Sequence, residues 1–278
     1  MPTLTIAGPN PVTLHFEDTG GSGRPLVLVH GWPLSGEAFS GNVPAFTAAG
    51  LRVITYDRRG FGQSDKPHDG YDYDTLSSDL NHVLTELDID DAVLLGFSMG
   101  GGEVARYVGK HGTNRLAGIV LSSSICPALA VTDDNPDGAM PVTAFKDMAQ
   151  QCSGDHDGFL DQFTTAFFSN DGGLTVSEEM RQRALTIALQ SDPRAASLTI
   201  EAWATDLRED CAGIDVPLLV LHGDGDQNVP AAASSIRMPA LVEHAELHVI
   251  EGGPHGLNVS HKDEWEAAIL RFVAALKG

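Results

Sequence analysis

Long apolar runs are missing from this 278-residue chain. None approaches the about 18 residues that a membrane-spanning helix needs, so no membrane partner is expected. Met1 to Pro11 lacks a basic stretch leading into an apolar one, the pattern of a secretory leader, and a cytoplasmic location is the expectation. Cysteine is scarce. Cys126, Cys152 and Cys211 stand apart with no C-x-x-C spacing, which argues against a disulfide framework and against a zinc site. Basic residues are few as well: 17 Lys and Arg against 38 Asp and Glu leave a formal charge of -21. A nucleic-acid surface needs a basic face that displaces counterions, so no nucleic-acid partner is expected. Strongly anionic substrates are disfavoured on the same ground, and the acid excess reads as a solvated surface. Internal repeats and low-complexity tracts are also absent. What is present, 42% apolar residues with mixed charge, suffices for a large globular core.

Short apolar runs alternate with helical patterns along the chain. Thr3 to Ala7 and Val12 to Glu17 alternate apolar and polar residues and predict an antiparallel hairpin at a sheet edge. Leu26 to His30, Arg52 to Tyr56, Ala92 to Leu95, Leu116 to Ser122, Pro217 to Leu221 and Glu246 to Ile250 are continuous runs, as in strands buried on both faces. Helical patterns cover Thr75 to Leu87, Ser98 to His111, Ala231 to Met238 and Ser260 to Leu276. Such alternation predicts an α/β class with a mostly parallel, doubly wound, eight-stranded sheet. Residues 124–207 break the rhythm with Thr132-Asp133-Asp134-Asn135-Pro136-Asp137-Gly138 and helical stretches over Phe159 to Phe168 and Glu178 to Gln190. They are read as a helical cap inserted after strand 6, with 1–123 and 208–278 forming the core. A cap over the carboxyl ends of the strands would wall a ligand pocket there.

Gly96-Phe97-Ser98-Met99-Gly100 lies between a predicted strand and a predicted helix. G-x-S-x-G in that context describes a sharp turn that lifts the serine hydroxyl clear of the sheet. A serine is a weak nucleophile and needs a base, which itself needs a group to orient it. Of the 11 histidines, His255 follows a strand directly, in Gly252-Gly253-Pro254-His255-Gly256, at the same sheet edge as the turn. His261 is assigned to the start of the last helix. The acid comes from His222-Gly223-Asp224-Gly225-Asp226-Gln227-Asn228-Val229-Pro230, which offers both Asp224 and Asp226. Asp224, nearer the strand end, suits bracing the loop and Asp226, further out, suits reaching the imidazole, but spacing alone leaves both open as the acid. The order Ser98, acid, His255 is that of the α/β-hydrolase class. His30-Gly31-Trp32-Pro33 follows a central strand, where this class supplies one oxyanion-binding N–H, from Trp32; the second belongs to Met99.

His30-Gly31-Trp32-Pro33, Tyr56-Asp57-Arg58-Arg59-Gly60-Phe61-Gly62-Gln63-Ser64, Gly96 to Tyr107, His222 to Pro230 and Pro254-His255-Gly256 follow one another over nearly the whole chain. In this series the sequence resembles the cofactor-free bacterial haloperoxidases, a branch of the α/β hydrolases that also holds aryl esterases, perhydrolases and a γ-lactamase. The resemblance implies Ser98 as nucleophile, His255 as base, Asp226 rather than Asp224 as the acid, and Trp32 and Met99 as oxyanion donors. It implies a pocket drawn from Pro33, Ile125, Leu129, Phe163, Phe167, Trp203 and Leu257. It also implies an ester or acyl substrate, hydrogen peroxide as a second acceptor that yields a peracid, no metal or other cofactor, and room for a homo-oligomer. A γ-lactamase-type amidase and a non-catalytic ligand-binding protein are the alternatives. A proline after the oxyanion tryptophan resembles the members proficient in perhydrolysis.

Overall fold

The computed structural model of the chain describes residues 2–8 and 10–277. An eight-stranded sheet runs through its centre. Its strands are β1 (Thr3–Ile6), β2 (Val12–Asp18), β3 (Pro25–Val29), β4 (Arg52–Tyr56), β5 (Ala92–Phe97), β6 (Leu116–Ser122), β7 (Leu218–Gly223) and β8 (Ala245–Ile250). They lie in the order β1-β2-β4-β3-β5-β6-β7-β8. β2 pairs antiparallel with β1 and β4, and all other neighbours are parallel. The predicted doubly wound α/β sheet is thus the observed one. Leu26 to Val29 and Ala92 to Leu95 have no exposed surface. Helices cover these strands on both faces, so no position in them is left for a solvated side chain. At the edge, Thr3 and Thr5 are exposed while Leu4 and Leu14 are buried, the two-residue period of a half-covered strand.

Helices α1 (Val43–Ala48), α2 (Tyr73–Glu86) and α3 (Met99–His111) connect the strands of the first half. Between β6 and β7 the chain makes a long excursion through α4 (Val142–Gly154), α5 (His156–Phe167), α6 (Glu178–Ala188) and α7 (Pro193–Ala202). Three of these start on side-chain caps: Asp155 accepts from the Gly158 N–H, Ser177 from Met180 and Asp192 from Ala195. The first and last parts of the excursion meet, where the Leu207 N–H donates to the Pro127 carbonyl at 3.0 Å. α4 and α7 were not anticipated. Asp192-Pro193 is a legible start signal for α7, whereas Pro141 caps α4 without a side-chain hydrogen bond.

The second half holds α8 (Arg208–Ala212), α9 (Met238–Leu241), α10 (Leu257–Ser260) and α11 (Lys262–Ala275). The helix expected over Ala231 to Met238 does not form. Two 3-10 turns, Ala231–Ala233 and Ser235–Arg237, lead into α9 instead. Serine hydroxyls compete with the helix here: Ser234 Oγ donates to the Pro230 carbonyl at 2.9 Å, and Ser235 Oγ lies 2.5 Å from His222 Nδ1. Pro239 then brings no N–H of its own. The expected helix over Ser260 to Leu276 breaks at His261, whose backbone (φ -123°, ψ 41°) is not helical.

Candidate active site

β5 delivers Ser98 to the carboxyl edge of the sheet, and α3 leaves directly after it. Ser98 has φ 54° and ψ -121°, a backbone conformation that side chains other than glycine rarely adopt. The turn is affordable only because its neighbours lack a Cβ. One added to Gly96 would lie 2.6 Å from the Gly100 oxygen, and one added to Gly100 would lie 2.3 Å from the Val29 oxygen. The Ser98 N–H donates to the Ser122 carbonyl at 2.8 Å, which ties the turn to β6.

A single chain of hydrogen bonds converges on this serine. His255 Nε2 lies 2.9 Å from Ser98 Oγ, and His255 Nδ1 lies 2.6 Å from Asp226 Oδ2. With Nδ1–H donating to the carboxylate, Nε2 keeps its lone pair for the serine proton. His255 is fully buried. Its carbonyl accepts from Ser123 Oγ at 3.0 Å, and the Phe167 ring meets the imidazole edge-on at 4.9 Å. Asp226 Oδ1 accepts the N–H groups of Asn228 and Val229 at 2.9 and 2.8 Å. Asp224, by contrast, is exposed, and its carboxylate accepts the Gly252 N–H at 2.6 Å, bracing the loop that carries His255.

His222 is a partner that the sequence reading passed over. Its Nε2 faces Asp226 Oδ2 at 3.0 Å and the Val229 carbonyl at 2.9 Å, so that nitrogen carries the proton. Nδ1 then accepts from Ser235 Oγ. Burial alone would push the Asp226 carboxyl up. The neighbouring His255 and the hydrogen bonds from His222 and His255 more than offset this and hold it below the ordinary carboxylate range. The four-residue spacing from His222 to Asp226 was the available signal.

The loop after β3 brings Trp32 beside the serine turn. Among the described residues, neither the Trp32 nor the Met99 N–H donates to a main-chain carbonyl. Met99 opens α3, where the first N–H groups have no partner within the helix. A buried polar network supports this loop from beneath. Arg58 Nε donates to Glu103 Oε2 at 2.6 Å, and the Arg58 guanidinium also donates to the His30 carbonyl at 2.7 Å. Tyr56 donates its hydroxyl to the same Glu103 carboxylate. Burial and the nearby Arg58 push the His30 imidazole well below its ordinary range, so it is neutral. Its Nε2 accepts the Arg58 N–H at 3.0 Å.

Ser98 opens on a cavity of about 210 Å³ walled by Ile125, Leu129, Met140, Phe145, Met148, Phe163, Ala166, Trp203, Gln227, Asn228 and Val229. Four of the expected pocket residues stand in this wall: Ile125, Leu129, Phe163 and Trp203. The other three do not. Phe167 backs the imidazole, Leu257 is fully buried against Gly253, and Pro33 is buried in the turn closed by the Leu34 N–H on the Gly31 carbonyl. Gln227 to Val229 follow Asp226 directly and could have been read from that adjacency. Phe145 and Met148 arrive with α4, which the sequence did not announce, and Met140 lies just before it.

The family described as alpha/beta hydrolase fold matches residues 24–262. A non-heme chloroperoxidase of Kitasatospora aureofaciens is 39% identical over 266 residues, covering 94% of this chain and 96% of that protein. A bifunctional esterase/perhydrolase of Acinetobacter calcoaceticus is 33% identical, covering 94% and 95%. The crystal structure of a bromoperoxidase from Bacillus anthracis superposes with a TM-score of 0.91 at 40% identity, over 98% of this chain and all of that one. With β5, Ser98 and α3 arranged as described, the chain belongs to the α/β-hydrolase fold family, in the branch of the non-heme haloperoxidases and esterase/perhydrolases.

Proposed function

We propose that this chain is a serine hydrolase that cleaves carboxylic esters through an acyl-serine and passes the acyl group to water or to hydrogen peroxide. One observation carries the reading: an unbroken line of hydrogen bonds from Asp226 through His255 to a serine that opens on an apolar cavity. Ser98 Oγ bonds to the ester carbonyl carbon while its proton moves to His255 Nε2, and Asp226 stabilises the imidazolium. The Trp32 and Met99 N–H groups hold the oxyanion, an interaction worth about 3 kcal/mol per donor in comparable sites. The carbonyl re-forms as the alkoxide leaves with the imidazolium proton. Water, deprotonated by His255, then releases the carboxylic acid and returns the proton to Ser98. Hydrogen peroxide in the place of water releases a peracid. Residues 124–207 act as the cap that sets the acyl group, and the enzyme works in the cytoplasm. Among the described residues no helix is long and apolar enough to cross a membrane.

The test is p-nitrophenyl acetate hydrolysis by the wild type and Ser98→Ala. Loss of the serine lowers kcat about a millionfold; equal rates in the two proteins overturn the reading. Peroxide addition to the wild type should divert acyl groups to peracid, read as bromide oxidation. Pro33 fixes φ and contributes no N–H in the turn after Trp32, which positions the Trp32 carbonyl to accept from a bound peroxide. Pro33→Leu should therefore lower the ratio of perhydrolysis to hydrolysis. An unchanged ratio removes Pro33 from the peroxide step.

A further inference from the structure

A peracid made at Ser98 is released into the cavity on which that serine opens, so the oxidisable side chains of its wall are the first it meets. Methionine thioethers are among the most readily oxidised groups in proteins and pass to sulfoxides. Five of the six methionines lie among the described residues: Met99, Met140, Met148, Met180 and Met238. Met99 and Met238 have no exposed surface, and neither have the three cysteines. Met180, on α6, is 49% exposed and does not wall the Ser98 cavity. Met140 and Met148 are half-buried, and both wall that cavity. Their neighbours hold them there. Met148 lies three residues after Phe145 on α4, so the two share one face of the helix, and Phe145 is a wall residue as well. The Met140 N–H donates to the carbonyl of Leu129, another wall residue, at 3.3 Å. Among the described residues of the wall, no other carries sulfur.

We propose that Met140 and Met148 are sites of self-oxidation, converted to sulfoxides by peracid formed at Ser98, and that this turns the apolar wall of the acyl cavity polar. The inference rests on the perhydrolase reading above, which supplies the oxidant. The sulfur lone pair takes the outer peroxy oxygen, the O–O bond breaks, and the peroxy proton passes to the departing carboxylate. The thioether loses two electrons and the peracid gains them, leaving one sulfoxide and one carboxylic acid. One molecule confined in about 210 Å³ has an effective concentration on the order of 8 M, far above that of peracid in solution. Each sulfoxide stays on the chain, so even a rare transfer accumulates over many turnovers. Methionine's unbranched, flexible side chain lets its sulfur meet the peracid without backbone movement. A polar sulfoxide then moves the cavity's preference away from hydrocarbon acyl chains.

The experiment turns the enzyme over on ethyl acetate and hydrogen peroxide with excess free methionine in solution, which consumes released peracetic acid and counts it as free methionine sulfoxide. Peptide mass spectrometry then gives the sulfoxide fraction at Met140, Met148 and Met180. A matched sample of unreacted enzyme receives preformed peracetic acid instead. Added peracid should modify the exposed Met180 first. Turnover should reverse the order, raising the ratio of Met140 and Met148 oxidation to Met180 oxidation at least about tenfold, and Ser98→Ala should show no such rise. Equal ratios in the two samples, or intact Met140 and Met148 after peracid has been counted, overturn the proposal alone. If no peracid is counted, the perhydrolase reading falls and the proposal falls with it. A second readout is kcat/KM on p-nitrophenyl hexanoate relative to acetate, each protein compared with its own sample before turnover. The wild-type ratio should fall by about fivefold or more. That of the Met140→Leu/Met148→Leu double variant, which nearly conserves side-chain volume, should stay constant. A wild-type ratio that holds although sulfoxides have formed overturns the change of preference, as does an equal fall in the double variant.

Discussion

Asp226 receives four hydrogen bonds, from His255, His222 and the N–H groups of Asn228 and Val229, and each favours the ionised form. Two consequences can be measured. Asp226→Asn leaves the shape but loses the charge that fixes the imidazole tautomer, and kcat should fall about ten-thousandfold on p-nitrophenyl acetate. A loss below about tenfold would assign the orienting role elsewhere. The second concerns stability. The folded-state pKa is held below the unfolded value of about 3.9, so the carboxylate's stabilisation is complete above that value and fades as pH falls through the folded one. Urea unfolding of both proteins should therefore show a stability gap at about pH 7 that narrows below about pH 4. A constant gap would mean that the charge contributes nothing to the fold. Ser98 and His255 were legible because glycines punctuate their turns. The choice between Asp224 and Asp226 was not legible from spacing, since both lie in one loop; tertiary structure sends one carboxylate to His255 and the other to Gly252.

Elements meet where strand ends give way to loops, and the Tyr56–Glu103–Arg58–His30 network lies at such a meeting. Glu103 belongs to α3, which leaves the serine turn, and Arg58 follows β4. His30 follows β3 and opens the loop of Trp32. The pair of Glu103 and Arg58 is wholly buried. Removing one charge leaves the other unpaired in the interior, at a cost of about 3–5 kcal/mol. Glu103→Gln should show a loss of this order in urea unfolding, together with a lower kcat as the Trp32 loop loosens. A loss under about 1 kcal/mol would show that other contacts hold α3 to the loop. Strands were the most legible elements, because buried parallel strands have to be continuous apolar runs. Helices read less well where serine intervened. Ala231 to Met238 has a helical pattern, yet the hydroxyls of Ser234 and Ser235 take local partners and the segment winds as 3-10 turns.

Over the whole molecule, sheet and excursion differ in how much their sequences reveal. Residues of the sheet are constrained by both covering layers, so pattern dictates place. The excursion between β6 and β7 contributes Leu129, Met140, Phe145, Met148, Phe163 and Trp203 to the cavity through tertiary packing that no periodicity encodes. Its helix starts at Ser177 and Asp192 are local signals, but the faces those helices present to Ser98 are not. The hydrogen bond from Leu207 to the Pro127 carbonyl closes the excursion upon itself. A closed appendage can lengthen, shorten or exchange helices while its two attachment points stay at one distance, and the ends of a longer loop cost little more to hold together. Heredity can therefore revise what such a protein accepts while leaving alone the apparatus that reacts.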